Sequence, residues 1–172
     1  MKGNIFFLCL ALVALGSFCG TAVFAEDPEV AIVVTPGEGR AFHAAVQLFR
    51  DEALPVDPDR SKALRSEIED GMLFSDVLLP LAHEAFLGAD QSSGLVAGRR
   101  ADCADWVQGG ADALVEGVIE RRGQELAVRY QVWDTVRCKR LTLGELVRPD
   151  SERIRLAKLL ADDVVGAFTG TP

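Results

Sequence analysis

Histidine, tyrosine, tryptophan and cysteine are scarce in this chain, and basic residues are outnumbered. Its 172 residues hold two histidines, one tyrosine, two tryptophans and four cysteines. Lysine and arginine together number 18 against 26 acidic residues, a formal charge of −8. With that balance and no run of Lys and Arg, the chain has little to neutralise nucleic-acid phosphates or anionic lipid headgroups. The charge serves mainly solubility. Long apolar runs are lacking too. The single candidate, Ile5–Leu15, is shorter than the roughly 20 residues that span a bilayer, and no later stretch could insert stably in a membrane.

What is present starts at residue 1. Lys2 is the only charge before residue 26, the apolar run follows, and small residues lead to Val23-Phe24-Ala25, with Glu26 and Asp27 directly after. A basic start, a short apolar core and a small-residue end are the order of a secretory signal peptide. The reading is therefore cleavage after Ala25, with residues 26–172 exported to the periplasm; a single membrane anchor is the weaker reading. Phe18 ahead of Cys19 argues against lipoprotein processing. The 147 residues left are one domain with enough chain for a core, and their net charge is −9 because only Lys2 is lost. Cys9 and Cys19 leave as well. Cys103 and Cys138 remain, in an oxidising compartment where a disulfide and two separate thiols are both open. Two cysteines with His43 and His83 do not make a metal cage, so no metal and no cofactor are expected.

The exported part alternates strands and helices. Glu29–Val34 is a β-branched run stopped by Thr35-Pro36-Gly37-Glu38-Gly39, a turn, and Phe42–Phe49 is a second strand, so the two read as a hairpin. Asp57-Pro58 opens a helix as cap and first residue; Leu64, Ile68 and Met72 share one face, and the helix fades over 71–75. Residues 77–81 form a buried strand ending at Pro80, and 88–102 a surface loop. Ala104–Gln108 is a short helix with Trp106 and Val107 as its apolar contacts. Ala113, Val115, Gly117 and Ile119 then alternate with Glu116 and Glu120. After a turn at Arg122-Gly123, Leu126, Val128, Tyr130 and Val132 alternate with Arg129 and Gln131. This is a hairpin with one buried face. Leu141–Val147 adds a third strand. Pro149-Asp150-Ser151 starts a last helix whose stripe is Ile154, Ala157, Ala161, Val164 and Phe168, closed by Thr169-Gly170. The hairpin brings the 135–138 turn near the start of the 113–119 strand. Cys138 then falls in the same region as the short helix that Cys103 precedes, within reach of a bridge if the Cα atoms come within about 7 Å.

Chemistry is thin. Gly37 and Gly39 lack the GxxxxGK[ST] pattern and Gly109-Gly110 ends a helix instead of starting one. His83 has no HExxH, and Ser92-Ser93 has no nucleophile-elbow context. Glu67, Glu69 and Asp70, like Asp162-Asp163, read as solvated helix faces, and Trp106 and Trp133 as core or edge aromatics. No base, nucleophile and orienting group come together, so the chain reads as a non-enzyme.

Four stretches carry a resemblance: EVAIVVTPGEGRAFHAAVQLF, FSDVLLPLAHEAFL, DWVQGGADALVEGVIERRGQELAVRYQVWDTVRCKRL and RIRLAKLLADDVVGAFTG. The third is the most specific: Trp106, Gly110, Ala111, Asp112, Ala113, Leu114, Val115, Gly117 and Asp134 occupy the places of a Trp-containing turn, "GADALVxG" and a strand ending "LxD". In these respects the chain resembles the amino-terminal domain of the TolB family, periplasmic components of the Tol-Pal system. Lys158 departs from the family's Ala-His in the last helix. The "WSPDG"-like repeats of the family's β-propeller are absent, which puts binding of the lipoprotein Pal in doubt. The resemblance implies an α/β fold: a mixed β-sheet with an antiparallel hairpin or meander and packed helices, like the sandwich of anticodon-binding domains. It also implies a non-catalytic protein–protein interaction module of the envelope, serving outer-membrane integrity, cell division or protein transport. Its TolA-contacting part corresponds here to Glu26, Asp27, Glu29, Val30, Ile32 and Val34. The alternative is a periplasmic small-ligand-binding or sensor domain, as similar domains occur in signalling proteins.

Overall fold

The structure, a computed structural model, describes residues 41–55, 57–86 and 101–170. The described elements are β1 (Phe42–Val46), β2 (Arg50–Asp51), α1 (Pro58–Leu73), β3 (Leu78–Pro80), α2 (Cys103–Gln108), β4 (Ala113–Arg122), β5 (Glu125–Asp134), β6 (Lys139–Pro149) and α3 (Arg153–Thr169). Short 3-10 turns lie at His83–Ala85 and Asp150–Glu152. The strands form one mixed sheet in the order β3-β1-β4-β5-β6, with β2 paired to β4. β1 is parallel to both β3 and β4, while β4, β5 and β6 are an antiparallel meander. The fold is α/β, with a mixed sheet and packed helices, as the sequence implies. The expected signal peptide (1–25), the first strand (29–34) and most of the 88–102 loop, with Ser92-Ser93, lie outside the described residues.

Local chemistry accounts for the elements. Asp57 has extended backbone angles and its carboxylate accepts from Asp59 N at 3.0 Å, so α1 starts on a side-chain cap with Pro58 behind it. Leu64, Ile68 and Met72 are fully buried, each worth about 1.5–3 kcal/mol of apolar transfer. Gly170 closes α3 with φ +74°, the left-handed C′ geometry that glycine adopts without penalty. In α3 the buried residues are Leu156, Ala157, Leu160, Ala161 and Val164. Ile154, placed in the buried stripe from the sequence, is 57% exposed. Two stripes of 3–4 spacing overlap in this helix, and contact with the sheet, not periodicity, selects between them. Val107 is likewise turned outward while Trp106 is buried.

α1 and α3 cover one face of the sheet in a single core with Val115, Ile119, Val128 and Val132. The opposite face is not solvated at this end, contrary to the one-buried-face expectation. Ala45, Phe86, Trp106, Ala111, Leu114 and Trp133 form a second cluster there, and every residue from Ala113 to Ile119 is buried. Glu116 and Gln131, read from their alternation as solvent-facing, are buried too: Glu116 Oε1 accepts from Gln131 Nε2 at 2.5 Å and from Trp133 Nε1 at 3.1 Å. The hairpin expected between 29–34 and 42–49 also needs correction. β1 ends at Val46, and its two edges are taken by β3 and β4, through Phe42 N to Val77 O, Leu81 N to Ala44 O, Asp112 N to His43 O and Gln47 N to Val115 O. It is a central strand, because α1 returns the chain parallel on one side and β4 arrives on the other.

Candidate functional site

The register of the strands gathers one end of the sheet. β1 begins at Phe42, β4 follows Asp112, and Ala113 opposes Asp134 at the end of β5. The β5–β6 turn and the last turn of α3 close over the same end. Phe42, Asp112, Asp134, Val136, Arg137, Leu141 and Phe168 line a cleft of about 260 Å³. Phe42 and Phe168 meet edge to face, with ring centroids 5.0 Å apart, a favourable aromatic geometry.

The polar groups of the cleft are held by the backbone. Asp112 Oδ2 accepts from His43 N at 3.0 Å, and its carbonyl accepts from Thr135 N at 3.0 Å. Asp134 accepts from Arg137 N at 2.8 Å and from its guanidinium at 3.0 Å. The Thr135 hydroxyl donates to Ala111 O at 2.6 Å. Cys138, with φ +49°, is joined to Cys103 by a disulfide with Cα atoms 5.7 Å apart. Four independent ties thus fix the 135–138 turn, and Val136 is left 68% exposed on its rim.

Other residues singled out in the sequence are engaged one by one. His83 Nε2 lies 2.8 Å from Glu69 Oε1, and Glu67 pairs with Arg153 at 3.2 Å, so the 67–70 carboxylates do not act together. His43 sits in β1 and contributes its backbone to Asp112. Asp162 and Asp163 are both exposed, as their reading as a solvated helix face has it, and Asp163 also accepts from the Tyr130 hydroxyl at 2.5 Å. Burial, then the bond to Asp163, pushes the Tyr130 phenol far above its ordinary range. On the far hairpin end, burial raises Glu120 but hydrogen bonds and charge from Arg129 and Arg122 outweigh it and hold the carboxyl below its usual value. Glu26, Asp27, Glu29, Val30, Ile32 and Val34 lie outside the described residues. The sequence reading missed the cleft itself and the pair Asp51–Arg60, 2.6 Å apart with both side chains buried. Among the described residues no group of three or more His, Cys, Asp or Glu is placed to hold a metal, and no helix is long and apolar enough to cross a membrane.

A mixed sheet with α1 and α3 on one face and Trp106 of α2 packed on the other is an α/β architecture, and its end carries an apolar cleft edged by fixed carboxylates. A sequence profile of the TolB amino-terminal domain matches residues 30–141, and the chain belongs to that family, whose members are envelope protein-interaction domains. The matched span stops at Leu141, ahead of most of β6 and all of α3. The solved structure of TolB from Acinetobacter baumannii superimposes with a TM-score of 0.55 at 21% identity, covering 77% of this chain and 29% of that one. A hypothetical protein from Chlamydia trachomatis gives a TM-score of 0.54 at 15% identity, covering 77% of this chain and 98% of that one. At these identities the likeness establishes the fold. No curated protein matches the sequence significantly.

Proposed function

We propose that the chain is a periplasmic, non-catalytic protein–protein interaction module of the cell envelope, exported by cleavage after Ala25, that engages a TolA-like partner through its mature amino terminus. The observation that carries this reading is the TolB amino-terminal domain match, which begins at Val30, inside the segment concerned. The chemistry of that segment supports it. Val30, Ile32 and Val34 belong to a β-branched run that favours the extended state, and an extended segment can add to another sheet through its backbone. Glu26, Asp27 and Glu29 steer a basic partner. Pal binding is not part of the proposal.

The test replaces Glu26, Asp27 and Glu29 with lysine, keeps 30–34 intact, and compares binding to the cognate TolA carboxy-terminal domain by calorimetry at low salt. The expected result is clear binding by the wild type and weakened binding by the variant. Absent wild-type binding, or equal binding by both, refutes the assignment. The small-ligand reading draws on the cleft, but the family match carries the interaction-module reading instead.

A further inference from the structure

The cleft does not end at Leu141. That residue also lines a second hollow of about 490 Å³ with Tyr130, Thr142, Asp162, Asp163, Gly166, Ala167 and Gly170. Asp162, Asp163 and Gly166 are in turn shared with a third of about 310 Å³, bordered by Phe74 at the end of α1. The three hollows make one concave track around the carboxy-terminal half of α3. Asp134 in its lining is paired with Arg137 at 3.0 Å, and the carboxylates exposed along it are Asp162 and Asp163. Its two ends carry the most exposed apolar side chains near it, Val136 at 68% and Phe74 at 87%.

We propose that this track is a second docking surface, for an extended basic segment of a protein partner. That segment seats one large apolar side chain in the sheet-end cleft and lays its cations along the Asp162–Asp163 side of α3. The proposal rests on the interaction-module reading but not on the amino-terminal contact. Three observations converge on this occupant. The cleft volume suits one ring-sized group, since an apolar cavity of about 150 Å³ already holds benzene. The groove is preformed, its turn tied by Asp134, Thr135 and the Cys103–Cys138 bridge, so little ordering cost falls on binding. The excess of carboxylates selects a cationic segment and disfavours an acidic one.

The probe is the acetylated, amidated pentapeptide KKFKK, titrated at low salt into the full-length protein and followed by amide NMR shifts. EEFEE and KKGKK serve as counterparts. Saturable shifts should appear at Val136, Arg137, Leu141, Asp163 and Ala167 with KKFKK and not with EEFEE, and KKGKK should bind on the order of tenfold more weakly for want of the ring. Val136→Arg, at an exposed turn position, should weaken KKFKK by a similar factor with the remaining spectrum unchanged. Asp162→Lys should weaken KKFKK and KKGKK alike. Equal binding of KKFKK and KKGKK, equal shifts from EEFEE, or an unaffected Val136→Arg protein overturns the proposal. At about 0.15 M salt, where the Debye length is about 8 Å, charge reversal at Glu26, Asp27 and Glu29 should leave the KKFKK shifts at Val136, Leu141 and Ala167 in place, so this surface and the amino-terminal contact stand or fall separately.

Discussion

Gly117 sits mid-strand in β4, opposite Tyr130, and has a measurable reason to be glycine. A Cβ there would lie 2.5 Å from Phe49 Cδ1 and 2.5 Å from the carbonyl oxygen of Arg129, whereas carbon atoms pack at about 3.5–4.0 Å. Neither neighbour can give way cheaply. Phe49 is 1% exposed and its carbonyl is tied to the Ser61 hydroxyl at 2.6 Å; Arg129 belongs to the adjacent strand. Something must move by roughly 1 Å, and overpacking of this kind costs about 1–3 kcal/mol. The narrower unfolded ensemble of alanine returns about 0.4–1 kcal/mol. We therefore expect Gly117→Ala to lose about 1–2 kcal/mol and Gly117→Val to lose more. With a urea slope of about 1–3 kcal/mol/M, the alanine midpoint falls by roughly 1 M. Trimming the ring with Phe49→Leu should remove most of the alanine penalty, a coupling of about 0.5–2 kcal/mol between neighbours. An unchanged midpoint in Gly117→Ala, or strict additivity with Phe49→Leu, refutes the close-approach argument.

Tyr130 is the only tyrosine, so near-ultraviolet tyrosinate absorbance reports it alone. Its folded pKa lies above the unfolded value of about 10. Its stabilising contribution is thus complete below about pH 10 and lost as pH rises beyond that. Tyrosinate should appear together with alkaline unfolding, and ionisation near pH 10 with the far-ultraviolet dichroism intact would contradict the burial of Tyr130 and its part-buried bond to Asp163. Thiol labelling of unfolded, unreduced protein lacking residues 1–25 should find no free thiol, and replacing both Cys103 and Cys138 with serine should cost about 2–4 kcal/mol; two reactive thiols dismiss the bridge. Asp51→Ala strands the Arg60 guanidinium in a buried site and should cost about 3–5 kcal/mol in denaturant titration, while a loss below about 1 kcal/mol would mean that water reaches the pair.

Much of this fold is legible in the amino acids because local signals agree with tertiary ones. Asp57-Pro58 caps α1, Pro80 ends β3, Gly123 turns the β4–β5 hairpin with φ +66°, and Gly170 stops α3. The need for glycine at 117 follows from its place inside a strand. Other features have no local signature. Glu116 alternates as a surface residue would; it is buried because Trp106, Phe86 and Trp133 assemble on that face from three separate segments. β1 looks like a hairpin arm until its parallel neighbours, more than 30 residues distant in sequence, are known. The cleft draws on β1, the β5–β6 turn, β6 and α3, whose sequence separations hide it from any motif, although Asp112 and Asp134 stand out as family positions.

The central position of β1 has a mechanical consequence. A tension on the backbone at Ala41 enters the domain along the axis of a strand flanked on both sides. The hydrogen bonds of β1 to β3 and to β4 then carry the load together, in shear, where an edge strand would release them one after another as a zipper does. Forced opening is governed by the unfolding rate and not by equilibrium stability. This attachment point should therefore resist a pull better than one of equal stability on β6, the outer strand of the sheet among the described residues.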